Sequence, residues 1–282
     1  MKNFVTTRWL KDHLKDDNLV IVDCRGDLLD ESYGKKSYKK SHIEGAFFVD
    51  LNTELSSTPG KHGGRNPLPK AEKFRNTVEN LGISEGTVVV AYDDYKIADA
   101  ARFCWMLRYY MGHKFNYILD GGIGKWINDG NRLSEDVSKS TRKSNFQLNM
   151  NENIISDVNF VNRIKYDSKW ILIDSRTPAR YRGESEPIDK IAGHIPGAVN
   201  YYWKESLNVD NTVADIDYLK RKFKNAHDKK GAVVYCGSGI DAAFNFLLMD
   251  EIGLKVKLYS GSWSDWITYG ENNVEKAVSS YN

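Results

Sequence analysis

The sequence predicts an α/β protein built from two tandem copies of one fold, each a mainly parallel sheet flanked by helices. Three observations lead there. Short apolar, β-branched runs alternate with helical patterns along the chain. Four landmarks of the first half return in the same order in the second. And 282 residues are too many for one core at roughly 150 residues per domain.

In chain order, Thr6 or Thr7 can cap a first helix that runs to Leu14. Residues 19–22 then form a strand that enters a turn at Asp23-Cys24-Arg25. Residues 34–40 are basic and are predicted to be loop, and Ser41-His42-Ile43-Glu44-Gly45-Ala46 is a turn leading into another strand. Residues 55–69, rich in Gly, Pro and Ser, form a loop long enough to be a functional flap. A helix follows over 71–81, a strand over 87–92, a helix over 97–110, and a strand over 115–119 that ends at Asp120-Gly121-Gly122. A short helix over 123–128 closes this half. The polar stretch 134–153 has no apolar period, so the expected domains are 1–137 and 154–282, joined by a linker over 138–153.

The second half repeats the first. Asp23-Cys24-Arg25 returns as Asp174-Ser175-Arg176, and the His42 turn returns as Gly193-His194-Ile195-Pro196-Gly197-Ala198. Val90-Ala91-Tyr92-Asp93 returns as Val233-Val234-Tyr235-Cys236. Asp120-Gly121-Gly122, with Trp126 behind it, returns as Ser260-Gly261-Ser262 with Trp266 at the same offset. Asp93 therefore stands where the second half has Cys236. Only the later copy carries a nucleophile at that place, and the substrate site is expected where the halves meet, with the first supplying walls.

The stretch VVYCGSGIDAAFNFLLM reads as a buried strand, a turn over Cys236-Gly237-Ser238-Gly239-Ile240 and a helix starting at Asp241. A cysteine at such a junction meets free backbone N–H groups and a helix's positive end, both of which favour thiolate. Gly237 and Gly239 let the backbone curl into an anion cradle. A lone cysteine before a Gly-Ser-Gly turn is equally compatible with core filler, which is the reading for Cys24 and Cys104. The three cysteines lack CxxC spacing, so neither a disulfide framework nor a zinc site is indicated. Forty basic against thirty-eight acidic residues give a net charge of +2, which offers no field to recruit nucleic acid or an anionic membrane. Charges arrive too early at the N-terminus for a signal peptide, and the protein is expected in the cytoplasm.

Taken together, the D-x-R turns, the two H-I-x-G-A segments, the strand ending in Y-C-G-S-G and the closing Y-S-G-S-W-S-D-W resemble the rhodanese family over nearly the whole chain. The likeness is to a tandem-domain sulfurtransferase whose first copy has lost its cysteine. It implies that Cys236 takes a sulfane sulfur from thiosulfate or 3-mercaptopyruvate as a persulfide and passes it to cyanide or a thiol, without metal or organic cofactor. A CGSG loop is the more reminiscent of mercaptopyruvate enzymes. Expected partners are a small sulfur donor, a thiophilic acceptor and a thioredoxin-like reductant, with the chain acting as a monomer. The alternative is a persulfide-carrying relay protein with little turnover on small donors. A cysteine phosphatase would need an arginine six residues after the cysteine, where Ala242 stands.

The resemblance assigns roles residue by residue. Cys236 is the nucleophile, and the backbone N–H groups of Gly237, Ser238, Gly239, Ile240 and Asp241 would stabilise its anion. The Ser238 hydroxyl could bond the sulfur or relay a proton. Arg180 matches the family arginine that grips the donor's anionic group. Arg182 would help if its segment is extended, since alternate side chains then share a face; either arginine could instead pair with Glu184 or Glu186. Arg65, in the flap segment Gly63-Gly64-Arg65-Asn66-Pro67, is a further cleft contact. The paired aspartate–arginine turns, His42, His194, Trp263 and Trp266 read as structural. Two positions depart from the family pattern: Asp241 replaces a common threonine and should raise the cysteine's pKa, and Ile188, in Pro187-Ile188-Asp189, stands where mercaptopyruvate-type enzymes carry a second arginine.

Overall fold

The computed structural model describes residues 1–27, 30–94, 96–138 and 144–277. It comprises two units. One holds Met1–Ser57, Leu68–Asn151 and Leu207–Val213; the other holds Thr58–Pro67, Glu152–Ser206 and the chain from Ala214 onward. Most of the loop predicted as a flap thus folds with the second unit.

The first unit runs β1 (Phe4–Val5), α1 (Thr7–His13), β2 (Leu19–Asp23), α2 (Tyr33–Lys40), β3 (Phe47–Phe48), α3 (Ala71–Asn80), β4 (Val88–Tyr92), α4 (Ala98–Met111), β5 (Asn116–Leu119) and α5 (Gly122–Asn128). The second runs β6 (Ile155–Ser156), α6 (Val158–Ile164), β7 (Trp170–Asp174), α7 (Pro178–Arg182), β8 (Val199–Asn200), α8 (Ile216–Lys222), β9 (Gly231–Tyr235), α9 (Asp241–Glu251), β10 (Val256–Tyr259) and α10 (Ser262–Trp266). Among the described residues each unit has one five-stranded parallel sheet, ordered β1-β5-β4-β2-β3 and β6-β10-β9-β7-β8. The two orders are the same, as the repeat requires. The central strands are buried along nearly their whole length, which is why they read as continuous apolar runs rather than alternating ones.

Local signals fix the element ends. Thr6 is the cap of α1, its hydroxyl accepting from Trp9 N at 3.1 Å, and Asp157 caps α6 in the same way at 2.8 Å. Gly112, in the left-handed region, stops α4. One expected loop is a helix: residues 34–40 lie in α2. Its lysines hid a short apolar face, for Gly34 and Tyr38, one turn apart, are both buried. Gly34 packs so closely on the Arg25 carbonyl that a Cβ would collide with it. Such a helix is held by tertiary packing, which a charged local sequence does not announce. Of the expected linker, residues 139–143 lie outside the described residues. Beyond them Phe146 is buried, and the Asn149 and Asn151 N–H groups bond the carbonyls of Tyr110 and Tyr109, tying this stretch to the first unit.

Corresponding residues build the cores. Ile43, Ala46, Tyr92 and Trp126 pack together in the first unit, and Ile195, Ala198, Tyr235 and Trp266 in the second. The landmarks read as structural serve the same tasks twice. Arg25 forks onto Asp23 and reaches the Ser41 carbonyl; Arg176 forks onto Asp174 and reaches that of Gly193. His42 donates from Nδ1 to the Tyr38 carbonyl and His194 to that of Tyr181, both at 2.7 Å. Trp263 and Trp266 are fully buried, and Cys24 and Cys104 fill core. No helix among the described residues is long and apolar enough to cross a membrane.

In the second unit the chain passes from β7 outward to β8 and returns on β7's other side as β9. The carboxyl ends of β7 and β9 are therefore neighbours, with Asp174 paired to Tyr235. Open parallel sheets bind ligands at this kind of reversal. The loops that leave it begin with Ser175 and with Cys236.

Candidate active site

Cys236 follows β9 directly, and its loop is pinned to the start of α10. Its N–H donates to Ser262 Oγ at 3.1 Å, its carbonyl accepts from Trp263 N at 3.0 Å, and the Gly237 carbonyl accepts from Ser264 N at 2.9 Å. Gly239 has a φ of 78°, and a Cβ there would run into the Ser260 carbonyl, so only glycine fits the bend. Ser262 also adopts a left-handed backbone, φ 57°, unusual for a residue with a side chain. Its hydroxyl accepts from Cys236 and donates to the Tyr259 carbonyl at 2.8 Å.

The sulfur is buried, with Cys236 1% exposed. The Gly239 N–H points at Sγ from 3.1 Å, and the backbone amides of Ser238 and Ala242 also favour its anion. Two of these donors come from the predicted set; Ala242, in the first turn of α9, lies just beyond it. The expectation that loop and helix would favour thiolate needs correction. Burial pushes the Cys236 thiol above its ordinary value, the Asp241 carboxylate adds to the rise, and the three amides offset only part. Desolvation of a buried sulfur outweighs the cradle, a balance invisible in a local motif.

The first unit shows what such a cradle holds. Asp93 occupies the place of Cys236, and its carboxylate accepts from the N–H groups of Ile97 at 2.7 Å, Asp99 at 3.0 Å and Ala100 at 3.1 Å. The same strand–loop–helix junction thus carries a buried carboxylate on three amides in one copy and a thiol facing the Gly239 amide in the other.

Two arginines close over the cysteine loop. A Cβ on Gly237 would collide with Arg65 Nη2 and lie 3.3 Å from Arg180 Nη2. Arg65 arrives on the segment 62–65. This segment is fastened by Gly63 N to Asp265 Oδ1 at 2.7 Å, Arg65 N to Ser264 Oγ at 3.1 Å, and His62 stacked on Tyr269. Arg180 arrives on α7. Asp189 bridges the two guanidiniums, accepting from Arg65 Nη1 and, at 3.0 Å, from Arg180 Nη2. Glu186 takes the other edge of Arg180 at 3.0 and 2.7 Å and reaches Arg176 at 3.1 Å. Arg65 Nε is buried without a hydrogen-bond partner. Arg182 is not brought to the site's arginine pair. Its segment is helical, so residues 180 and 182 point apart, and Arg182 forks onto Glu184 at the surface. Ile240 is buried at the start of α9, and Ser238 is buried in the loop.

Sequence reasoning missed Ser262 and Asp189. Ser262 stands opposite Gly122, also left-handed at φ 58°; a serine where the repeat keeps glycine signals a task for its hydroxyl. Asp189 was visible only as the neighbour of Ile188. Among the described residues no group of three or more His, Cys, Asp or Glu side chains is arranged to hold a metal ion.

The model of the rhodanese-like domain matches residues 6–129 and 159–269. Over 270 residues, the chain is 35% identical to a protein of Pseudomonas aeruginosa named as a probable 3-mercaptopyruvate sulfurtransferase, covering 94% of each. Over 258 residues it is 35% identical to SseB of Mycobacterium tuberculosis, named as a candidate thiosulfate sulfurtransferase, covering 89% of this chain and 88% of that one. The crystal structure of SseA from Escherichia coli superposes with a TM-score of 0.81 at 30% identity, over 94% of this chain and all of that one.

Proposed function

The chain belongs to the rhodanese family, and we propose that it is a sulfurtransferase that carries a sulfane sulfur on Cys236 from thiosulfate or 3-mercaptopyruvate to a thiophilic acceptor. The observation that carries the reading is the Gly239 N–H aimed at Sγ from 3.1 Å, with Arg65 and Arg180 together at Gly237. With thiosulfate, the thiolate attacks the outer sulfur, the S–S bond breaks, and sulfite leaves with the electron pair. The products are the persulfide anion and the sulfite dianion, so charge is conserved. With 3-mercaptopyruvate, the C–S bond breaks toward carbon, and the resulting enolate takes up the proton of the transferred SH to become pyruvate. Ser238, two residues from the sulfur, would relay that proton. The persulfide then gives its outer sulfur to cyanide as thiocyanate. A thioredoxin-type dithiol serves equally, leaving as a disulfide while hydrogen sulfide is released.

Arg180 and Arg65 would hold the donor's anionic end, and a donor oxygen would satisfy the orphaned Arg65 Nε. The amides would stabilise the persulfide as they do the thiolate. Cyanide-dependent thiocyanate formation tests this. Wild type is expected to turn over on at least one of the two donors and Cys236→Ser on neither. The burial of Cys236 and the pairing of both arginines with internal carboxylates favour one competitor, a relay protein charged by another protein. Persulfide formed only from a protein donor, with no turnover on either small molecule, would establish that reading instead.

A further inference from the structure

The donor reading names two anions that differ in charge, and the groups around Gly237 discriminate between them. Arg65 and Arg180 share one carboxylate, for Asp189 accepts from Arg65 Nη1 on Oδ1 and from Arg180 Nη2 on Oδ2. Its side chain is only 6% exposed, so its charge is poorly screened. Glu186 neutralises the rest of Arg180 and part of Arg176, and Asp174 forks onto Arg176. Three guanidiniums are thereby matched by three carboxylates, and Cys236 feels the Asp241 carboxylate as well. These three pairs cancel, so the guanidiniums offer a donor no net positive charge beyond what their carboxylates already take up. The buried Asp189 carboxylate repels a dianion such as thiosulfate twice as strongly as a monoanion such as 3-mercaptopyruvate, which can also use the orphaned Arg65 N–H.

Resting on the reading of Cys236 as sulfur carrier, we infer that Asp189 is a specificity-determining residue: by bridging Arg65 and Arg180 it sets the charge of the donor site so that singly charged donors are accepted ahead of doubly charged ones. Removing its charge relieves the dianion more than the monoanion.

The test measures kcat/KM for sulfur loading from thiosulfate and from 3-mercaptopyruvate in wild type, Asp189→Asn, Asp189→Ser and Asp189→Glu. Both uncharged variants are expected to raise the thiosulfate-to-mercaptopyruvate ratio by about tenfold, mainly through a lower KM for thiosulfate, with the gain shrinking as salt is added. Asp189→Glu keeps the charge and should keep the wild-type ratio. If the uncharged variants change both donors by one common factor, Asp189 merely props the arginines and the inference is overturned. A ratio shifted equally by Asp189→Glu overturns it as well. Absence of any persulfide on the wild type would defeat the underlying sulfur-carrier reading; a persulfide that forms with an unmoved ratio defeats only the role of Asp189.

Discussion

Burial raises the Cys236 thiol above its ordinary value, and the Asp241 carboxylate pushes the same way. The thiolate is the nucleophile, so at neutral pH only a small fraction of the protein is ready to attack. Sulfur loading should therefore accelerate as pH rises, without levelling off before the ordinary thiol range. Neutralising Asp241 removes one of the two upward pushes. Asp241→Asn is expected to move the profile to lower pH and to speed loading at pH 7 about three- to tenfold. A superimposable pH profile would show that Asp241 does not act on the sulfur. At this scale the positions of Cys236 after β9 and of Arg180 beside its loop were legible because each belongs to a short, ordered motif. The opposing pulls of Asp241 and of the loop amides on the thiol were legible too, but not their net sign, because burial decides it and depends on how thoroughly distant segments exclude water. For Arg182 the condition of an extended segment fails and the alternative pairing with Glu184 holds: Pro178 begins a helical turn, and in a helix the spacing of two separates side chains that a strand would align.

The loop after β4 and the loop after β9 are one device with two occupants. Asp93 fills its cradle with its own carboxylate, and burial raises the pKa of that carboxylate even as the amides of Ala100, Ile97 and Asp99 lower it. Asp93→Ala would leave three buried N–H groups without their acceptor, and a loss of about 3 kcal/mol in unfolding free energy is expected from denaturant titration. A loss under about 1 kcal/mol would mean that those amides find other partners and that the cradle needs no anion. Continuous apolar runs made the central strands readable, and apolar helical periods the long helices, since their burial is written into their own sequence. α2 escaped because four lysines mask the packing of Gly34 and Tyr38. The task of Ser262 escaped because its backbone strain and its bond to Cys236 emerge only when α10 meets the loop.

Across the whole molecule, duplication was the most informative signal. It predicted two like sheets, and both have the same strand order. It also picked out the position at which one copy has Asp93 and the other Cys236. It could not say that the segment 58–67 folds with the second unit, since that depends on His62, Gly63 and Arg65 finding Tyr269, Asp265 and Ser264. Sulfur carriage by Cys236 joins these levels and is open to direct weighing. The purified protein is exposed to thiosulfate or to 3-mercaptopyruvate, freed of donor, and its intact mass is measured beside that of Cys236→Ser. A gain of one sulfur atom on the wild type alone, removed again by cyanide, is expected. An equal gain on Cys236→Ser, or no gain on the wild type with either donor, would contradict it.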